Sequence, residues 1–237
     1  MIHSVQRNSN HLLACLPDMA WENWHPMMKM VPLKAGQVLA ESGEKVSHVY
    51  FPVKSVVSLL YITENGSFSE TAAIGNDGMV GISLFMGGDS SSTSSVVQTT
   101  GYGLKLDAAS FKSEINRSET LFNLLLKYAQ ALMTQVAQTS VCNRHHSIEQ
   151  QLCRFLLTNL DKIQGNELQL THELIANMLG VRREGITIAA LKLQKSGLIQ
   201  YSRGVIKVLD RIQMQKQACE CYKVCKNEYT RLLPVLT

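Results

Sequence analysis

Between about residue 30 and residue 106 the apolar residues come in short runs broken by glycines. Residues 49–53, 56–62, 68–74 and 96–106 are rich in β-branched and aromatic side chains, and glycines stand at 36, 43, 66, 75, 78, 81, 87, 88, 101 and 103. Runs of that length bounded by turn formers predict strands. Asn65-Gly66, between two of the runs, predicts a hairpin turn, because both residues tolerate positive φ. Many short strands with frequent turns predict an antiparallel sandwich or jelly roll. Residues 89–95 are nearly all Ser and Thr and read as a solvated loop.

The period then changes. Residues 118–142 contain neither proline nor glycine, and Leu121, Leu125, Tyr128, Leu132, Val136 and, less regularly, Thr139 recur at three- and four-residue spacing. That stripe predicts one long amphipathic helix. It can pack on its own β domain or on a second copy. A helix of this length carries more apolar stripe than a small β-roll covers, so a dimer seam is expected. Ser147, with Gln150 three residues on, predicts a capping box that opens a second helix, whose buried face is Leu152, Phe155 and Leu156. His145 and His146 lack partners at zinc-ligand spacing and read as a solvated hinge, not as a metal site.

The pattern at 168–209 is the most specific. Thr171 can cap a helix with an apolar face of Leu174, Ile175, Met178 and Leu179, and Gly180 supplies a tight turn. A second helix begins near Arg182, with Ile186, Ala189, Ala190 and Leu193 facing inward, and Ala176 is small where the two helices cross. Residues 198–209, turning at Ser202-Arg203-Gly204, then read as a β-hairpin wing. This leaves Arg182, Arg183, Glu184 and Thr187 on the outward N-terminal end of the second helix, the end that enters the major groove in a helix-turn-helix. Arginine donates two hydrogen bonds to guanine O6 and N7, and glutamate accepts from cytosine N4. Thr171, His172, Lys192, Lys195 and the wing-tip Arg203 are placed to meet phosphates, which fix position and carry no sequence information.

Charge supports that partner. Residues 1–143 hold nine Lys and Arg against eleven Asp and Glu, whereas residues 144–237 hold fourteen against eight. The basic surplus belongs wholly to the part with the helix-turn-helix pattern, as expected for a phosphate-binding surface. No apolar run approaches the roughly 20 residues that a membrane span needs, and the N-terminus is a poor signal peptide, so the cytoplasm is the expected location. G-x-S-x-G, Gly-Lys-Ser/Thr and H-E-x-x-H are all missing, and no enzymatic activity is expected.

The cysteines at 15, 142, 153, 219, 221 and 225 are too scattered for a disulfide framework. Cys219, Cys221 and Cys225 form the one sequence cluster, on an expected C-terminal helix. They read as small buried hydrophobes, with metal or redox sensing as the alternative. No cofactor is expected.

Leu-Gly-Val-Arg-Arg-Glu-Gly-Ile at 179–186 and Ile-Gly-Asn-Asp-Gly-Met-Val-Gly at 74–81 resemble segments of the Crp/Fnr family of bacterial regulators. The resemblance runs from about residue 10 to residue 209. It implies an α+β protein with a cyclic-nucleotide-binding-like β-roll over 1–116, a dimerisation helix over 117–143, and a winged helix-turn-helix with a C-terminal helix over 144–237. It also implies duplex DNA, a second copy of the chain and RNA polymerase as partners. Arg183 and Glu184 fall on base-reading positions. Ile188 stands where the family often carries another arginine, which puts the usual half-site in doubt.

Cyclic-AMP-binding members hold the ribose with a Gly-Glu pair and the phosphate with an Arg-Ser/Thr pair. Here the matching stretch is Gly81-Ile82-Ser83, followed by the serine-rich residues 90–95, including Ser94 and Ser95. No Lys or Arg occurs between Lys54 and Lys105. A cyclic phosphate calls for a cation or several donors, so this effector pocket is expected not to take a cyclic nucleotide. Serine hydroxyls leave anion binding open as the alternative, and the effector is unknown. Members with an iron–sulfur cluster draw on an N-terminal cysteine group, and here Cys15 stands alone.

Overall fold

The computed structural model describes residues 6–163 and 165–234. Two short helices, α1 (His11–Ala14) and α2 (Asp18–Trp24), precede seven strands: β1 (Lys29–Leu33), β2 (Val38–Ala40), β3 (His48–Pro52), β4 (Val56–Ile62), β5 (Phe68–Ile74), β6 (Ser94–Thr99) and β7 (Gly101–Asp107). The strands form two antiparallel sheets, ordered β1-β7-β3 and β2-β6-β4-β5. Leu33, Val57, Ile74 and Val97 pack together, and a larger cluster seats Trp24 against Phe51 and Phe111.

The single run expected over 96–106 is two strands in different sheets. The break comes at Thr100, just before Gly101, where a Cβ atom would lie 1.7 Å from the Lys54 carbonyl oxygen. Only glycine lets the chain cross there. The Ser/Thr segment is also less solvated than expected, because β6 takes in Ser94 and Ser95 and both are buried. The hairpin at Asn65-Gly66 forms. Asn65 Oδ1 accepts from Thr63 Oγ1 at 2.6 Å and from the Ser67 amide at 3.1 Å.

After α3 (Ala108–Ile115) comes the long helix α4 (Glu119–His145). Its stripe of Leu121, Leu125, Tyr128 and Leu132 is buried against the chain's own β-roll. These four are therefore core residues, not the dimer seam expected of them. The Tyr128 hydroxyl donates to the Met79 carbonyl (2.7 Å) and accepts from the Met79 amide (3.0 Å), and burial pushes its pKa far up. Loop 75–81 supplies that contact, so the β-roll covers more of the helix than strand count suggested.

Of the predicted seam only Val136 is exposed. It belongs to a second stripe, with Phe122, Leu126, Ala129 and Met133, at alternating four- and three-residue spacing. Phe122, Leu126 and Met133 are all exposed. Tyr128→Phe should cost about 1–3 kcal/mol, because it leaves the buried Met79 amide and carbonyl without that partner. Urea unfolding should show a lower midpoint with an unchanged m-value.

The C-terminal part holds α5 (Ile148–Asp161), β8 (Glu167–Gln169), α6 (His172–Leu179), α7 (Arg183–Lys195), β9 (Ile199–Ser202), β10 (Val205–Val208), α8 (Arg211–Gln217) and α9 (Glu220–Leu232). The capping box at Ser147 and Gln150 is present in both directions. The core predicted for the helix pair, from Ile175 to Leu193, is buried with Leu152, Phe155 and Leu156. Helix α9 then returns antiparallel along α4. Gln130 meets Glu228 (3.2 Å), Tyr229 meets Gln135 (3.3 Å), and Leu232 and Leu233 enter the β-roll core. Among the described residues no helix is long and apolar enough to cross a membrane.

Candidate nucleic-acid interface and associated sites

Helix α6 begins at Thr171, whose hydroxyl accepts from the Leu174 amide (3.2 Å), and ends at Gly180, in the left-handed region at φ 66°. The reversal that this residue permits sets α7 across α6 with its first turn facing solvent. Arg182, Arg183 and Glu184 are exposed there. The Arg183 side chain is 66% accessible, and its ion pair with Glu173 at 3.5 Å is a surface contact of small energetic weight. Along the same face, one and two turns on, come Ile188 and Leu191, both large, apolar and exposed.

The remaining predicted contacts divide. Thr171 is exposed, and Arg203 sits at the wing tip between β9 and β10 with φ 49°. Lys192 is exposed but paired with Glu149, so it must leave that pair to meet a phosphate. His172 is half-buried and stacked on Tyr201 (4.1 Å between centroids, 21° between planes), with Nδ1 3.1 Å from Thr187 Oγ1. Burial first and Arg183 second lower its pKa, so the ring is neutral at pH 7. A neutral ring in that stack fixes Thr187 and the wing relative to α7. Thr187 also donates to the Arg183 carbonyl (3.1 Å), which ties the same network to the first turn of α7.

In the β-roll a cavity of about 330 Å³ is lined by Gly81, Ile82, Ser83, Ser95 and serines 90–92, with Tyr50, Leu59 and Met86. Four of the five predicted effector residues therefore share one cavity. Ser94 points the other way, to Glu41 (3.2 Å) and the Ser42 amide (3.1 Å). No Lys or Arg lines the space. His48 does, and burial first and Lys105 second lower its pKa, which keeps it uncharged. The Ser83 hydroxyl is buried without a partner among the described residues.

A third group was invisible as a sequence motif. Cys142, one turn before His146 at the end of α4, meets Cys219 and Cys221 at the start of α9, and the four ligand atoms all lie within 4.8 Å of one another. Cys142 Sγ is 3.5 Å from Cys219 Sγ, and Cys221 Sγ is 3.6 Å from His146 Nδ1. Cys225, counted with this cluster from sequence, is not in the group, and His146, read as a solvated hinge, is. The signal was Cys142 and His146 at i and i+4 on a helix. It had no partners until α9 folded back. The Cys219 thiol is lowered to about 5, chiefly by its hydrogen bond with Cys142, while burial raises Cys221 to about 11.

Two family models match the chain: one described as a cyclic nucleotide-binding domain over residues 30–118, and one described as a Crp-like helix-turn-helix domain over residues 150–216. No curated protein matches it in sequence. Similar solved structures include a protein of Eubacterium rectale assigned to the Crp/Fnr family (20% identical, TM-score 0.68, covering 89% of this chain and 98% of that one). Another is FixK2 of Bradyrhizobium japonicum (13%, 0.70, covering 81% and 98%). A third is CLP of Xanthomonas campestris, described as a c-di-GMP responsive global regulator (14%, 0.61, covering 82% and 100%). At these identities the likeness establishes the fold.

Proposed function

Since its cyclic nucleotide-binding domain and Crp-like helix-turn-helix make the chain a member of the Crp/Fnr family of transcriptional regulators, we propose that it acts as a homodimer reading an imperfect DNA palindrome. The observation that carries this is the exposed first turn of α7, where Arg182, Arg183 and Glu184 stand clear of the β-roll. Arg183 and Glu184 read base edges. Ile188 and Leu191, one and two turns on, are suited to thymine methyl groups. Thr171, Lys192 and Arg203 meet phosphates, and His172 holds Thr187 in place. The second stripe of α4, Phe122, Leu126, Ala129, Met133 and Val136, forms the seam with the other copy. Family membership supports RNA polymerase as a further partner on DNA.

Selection from a pool of random duplexes is the test. It should enrich two inverted half-sites centred about 34 Å apart, one helical turn of DNA. Affinity for the selected site should fall steeply with added salt. A pool with no enriched sequence overturns the reading.

The β-roll cavity is read as a sensor pocket for something other than a cyclic nucleotide. Support comes from its uncharged lining, because a buried phosphate needs charge-assisted donors. Calorimetric titration with cyclic AMP and cyclic GMP should show no micromolar binding. A micromolar dissociation constant for either would reverse this assignment.

A further inference from the structure

We propose that Cys142, His146, Cys219 and Cys221 are the four ligands of one zinc ion, in a closed tetrahedral site that staples the last helix to the end of the long helix. The spacing fits a single ion. Zinc–thiolate bonds of about 2.3 Å in a tetrahedron place sulfurs about 3.8 Å apart. Cys142 and Cys219 stand at 3.5 Å, Cys221 and His146 Nδ1 at 3.6 Å, and no pair in the set exceeds 4.8 Å. An iron–sulfur cluster, with several irons between its ligands, needs sulfurs spread wider than this. Three soft thiolates and an imidazole are a donor set that selects zinc over the hard divalent cations.

The surroundings are those of a metal site. His146 turns Nδ1 to the cluster and Nε2 to the Glu220 carboxylate (3.3 Å), the carboxylate–histidine–metal arrangement that fixes tautomer and ring orientation. Arg154 is buried, its Nε donates to Cys142 Sγ at 3.2 Å, and it takes part in no ion pair among the described residues. A buried guanidinium beside the cluster favours a site of net negative charge there. Zinc held by three thiolates and a neutral imidazole is a complex of net charge −1, which suits the neighbouring Arg154 guanidinium. Among the buried hydrophobic residues the three cysteines form a cluster of their own, apart from the larger cores.

The site lies where the β-roll and its long helix hand over to the DNA-binding part, so zinc occupancy fixes the angle at which α9 holds the two together. This inference does not rest on the DNA-reading assignment.

The test uses the full chain, purified under reducing, anaerobic conditions. It should carry one zinc per chain. After chelation, Co2+ should restore one equivalent, with the visible bands of a tetrahedral ion and near-ultraviolet thiolate charge transfer. Cys225→Ser should keep that stoichiometry, and Cys142→Ser with Cys219→Ser should abolish it. Glu220→Gln, which keeps all four ligands, should weaken zinc affinity 10–100-fold against a chromophoric chelator. Octahedral or absent cobalt bands, more than one iron with sulfide, a Cys142–Cys219 disulfide in the reduced preparation, or full zinc in the double variant would each overturn the proposal. Glu220→Gln with unchanged affinity would overturn its positioning role. Folding of each variant is read independently by far-ultraviolet circular dichroism.

Discussion

Met133→Glu should turn the protein into a monomer and lower its affinity for a two-half-site operator by about 10²–10⁴-fold, the avidity lost when two tethered reading heads become independent. Met133 is 66% accessible, so the substitution removes little packing within the chain. It lies inside the second stripe of α4, with Leu126 and Ala129 before it and Val136 after it. In a parallel two-fold helix pair each seam position faces its own copy, so two carboxylates would be desolvated side by side. Sedimentation gives the assembly state, and titration of labelled operator gives the affinity. A variant that sediments as a dimer and binds like the parent would place the interface elsewhere. Leu125→Glu is the contrasting change. Leu125 is fully buried in the β-roll core, and its replacement should unfold the chain, not merely separate two copies.

Arg183→Ala should cost about 1–3 kcal/mol of specific binding, roughly 5–150-fold, and relax preference at one base position in each half-site. The residue has little else to do in the free protein. Its pair with Glu173 is exposed, so removing the side chain leaves folding stability within about 0.5 kcal/mol. Binding curves on the selected operator and on its variants at each position separate base reading from phosphate contact. Lys192→Ala, by comparison, should weaken all sequences alike and lower the salt slope by about one. If Arg183→Ala leaves both affinity and base preference intact, the reading role belongs to another residue.

Much of this was legible in the residues. Inward and outward faces of the helix pair follow from spacing alone, since the buried set of Ile175, Met178, Leu179, Ile186, Ala189, Ala190 and Leu193 lies at helical period. The cap at Ser147 and the wing turn at Arg203 are local chemistry and were readable for the same reason. What period cannot supply is the identity of the surface that covers an apolar face. Helix α4 has two stripes. The stronger, with Leu121, Leu125 and Tyr128, was given to a second copy when the loop at 75–81 claims it. The weaker, with Phe122 and Met133, was not singled out, because alanine and scattered polar residues dilute it.

Long-range assembly was equally hidden. Cys142 and Cys219 are 77 positions apart, and nothing in either neighbourhood announces the other. The sequence places His172 among the phosphate contacts. Only the Tyr201 ring, brought up by the wing, shows it engaged.

The return of α9 has a consequence for biosynthesis. Leu232 and Leu233 complete a hydrophobic cluster whose other members come mostly from residues 12–131, and the His11 ring lies 2.6 Å from the Leu233 carbonyl. A nascent chain halted after the wing would thus expose the underside of its first domain, although every strand of that domain had been made. Closure across more than 200 positions falls among the last and slowest steps of folding. The two halves should then melt in one cooperative transition, and stalled or clipped translation products should be prime clients of chaperones and proteases.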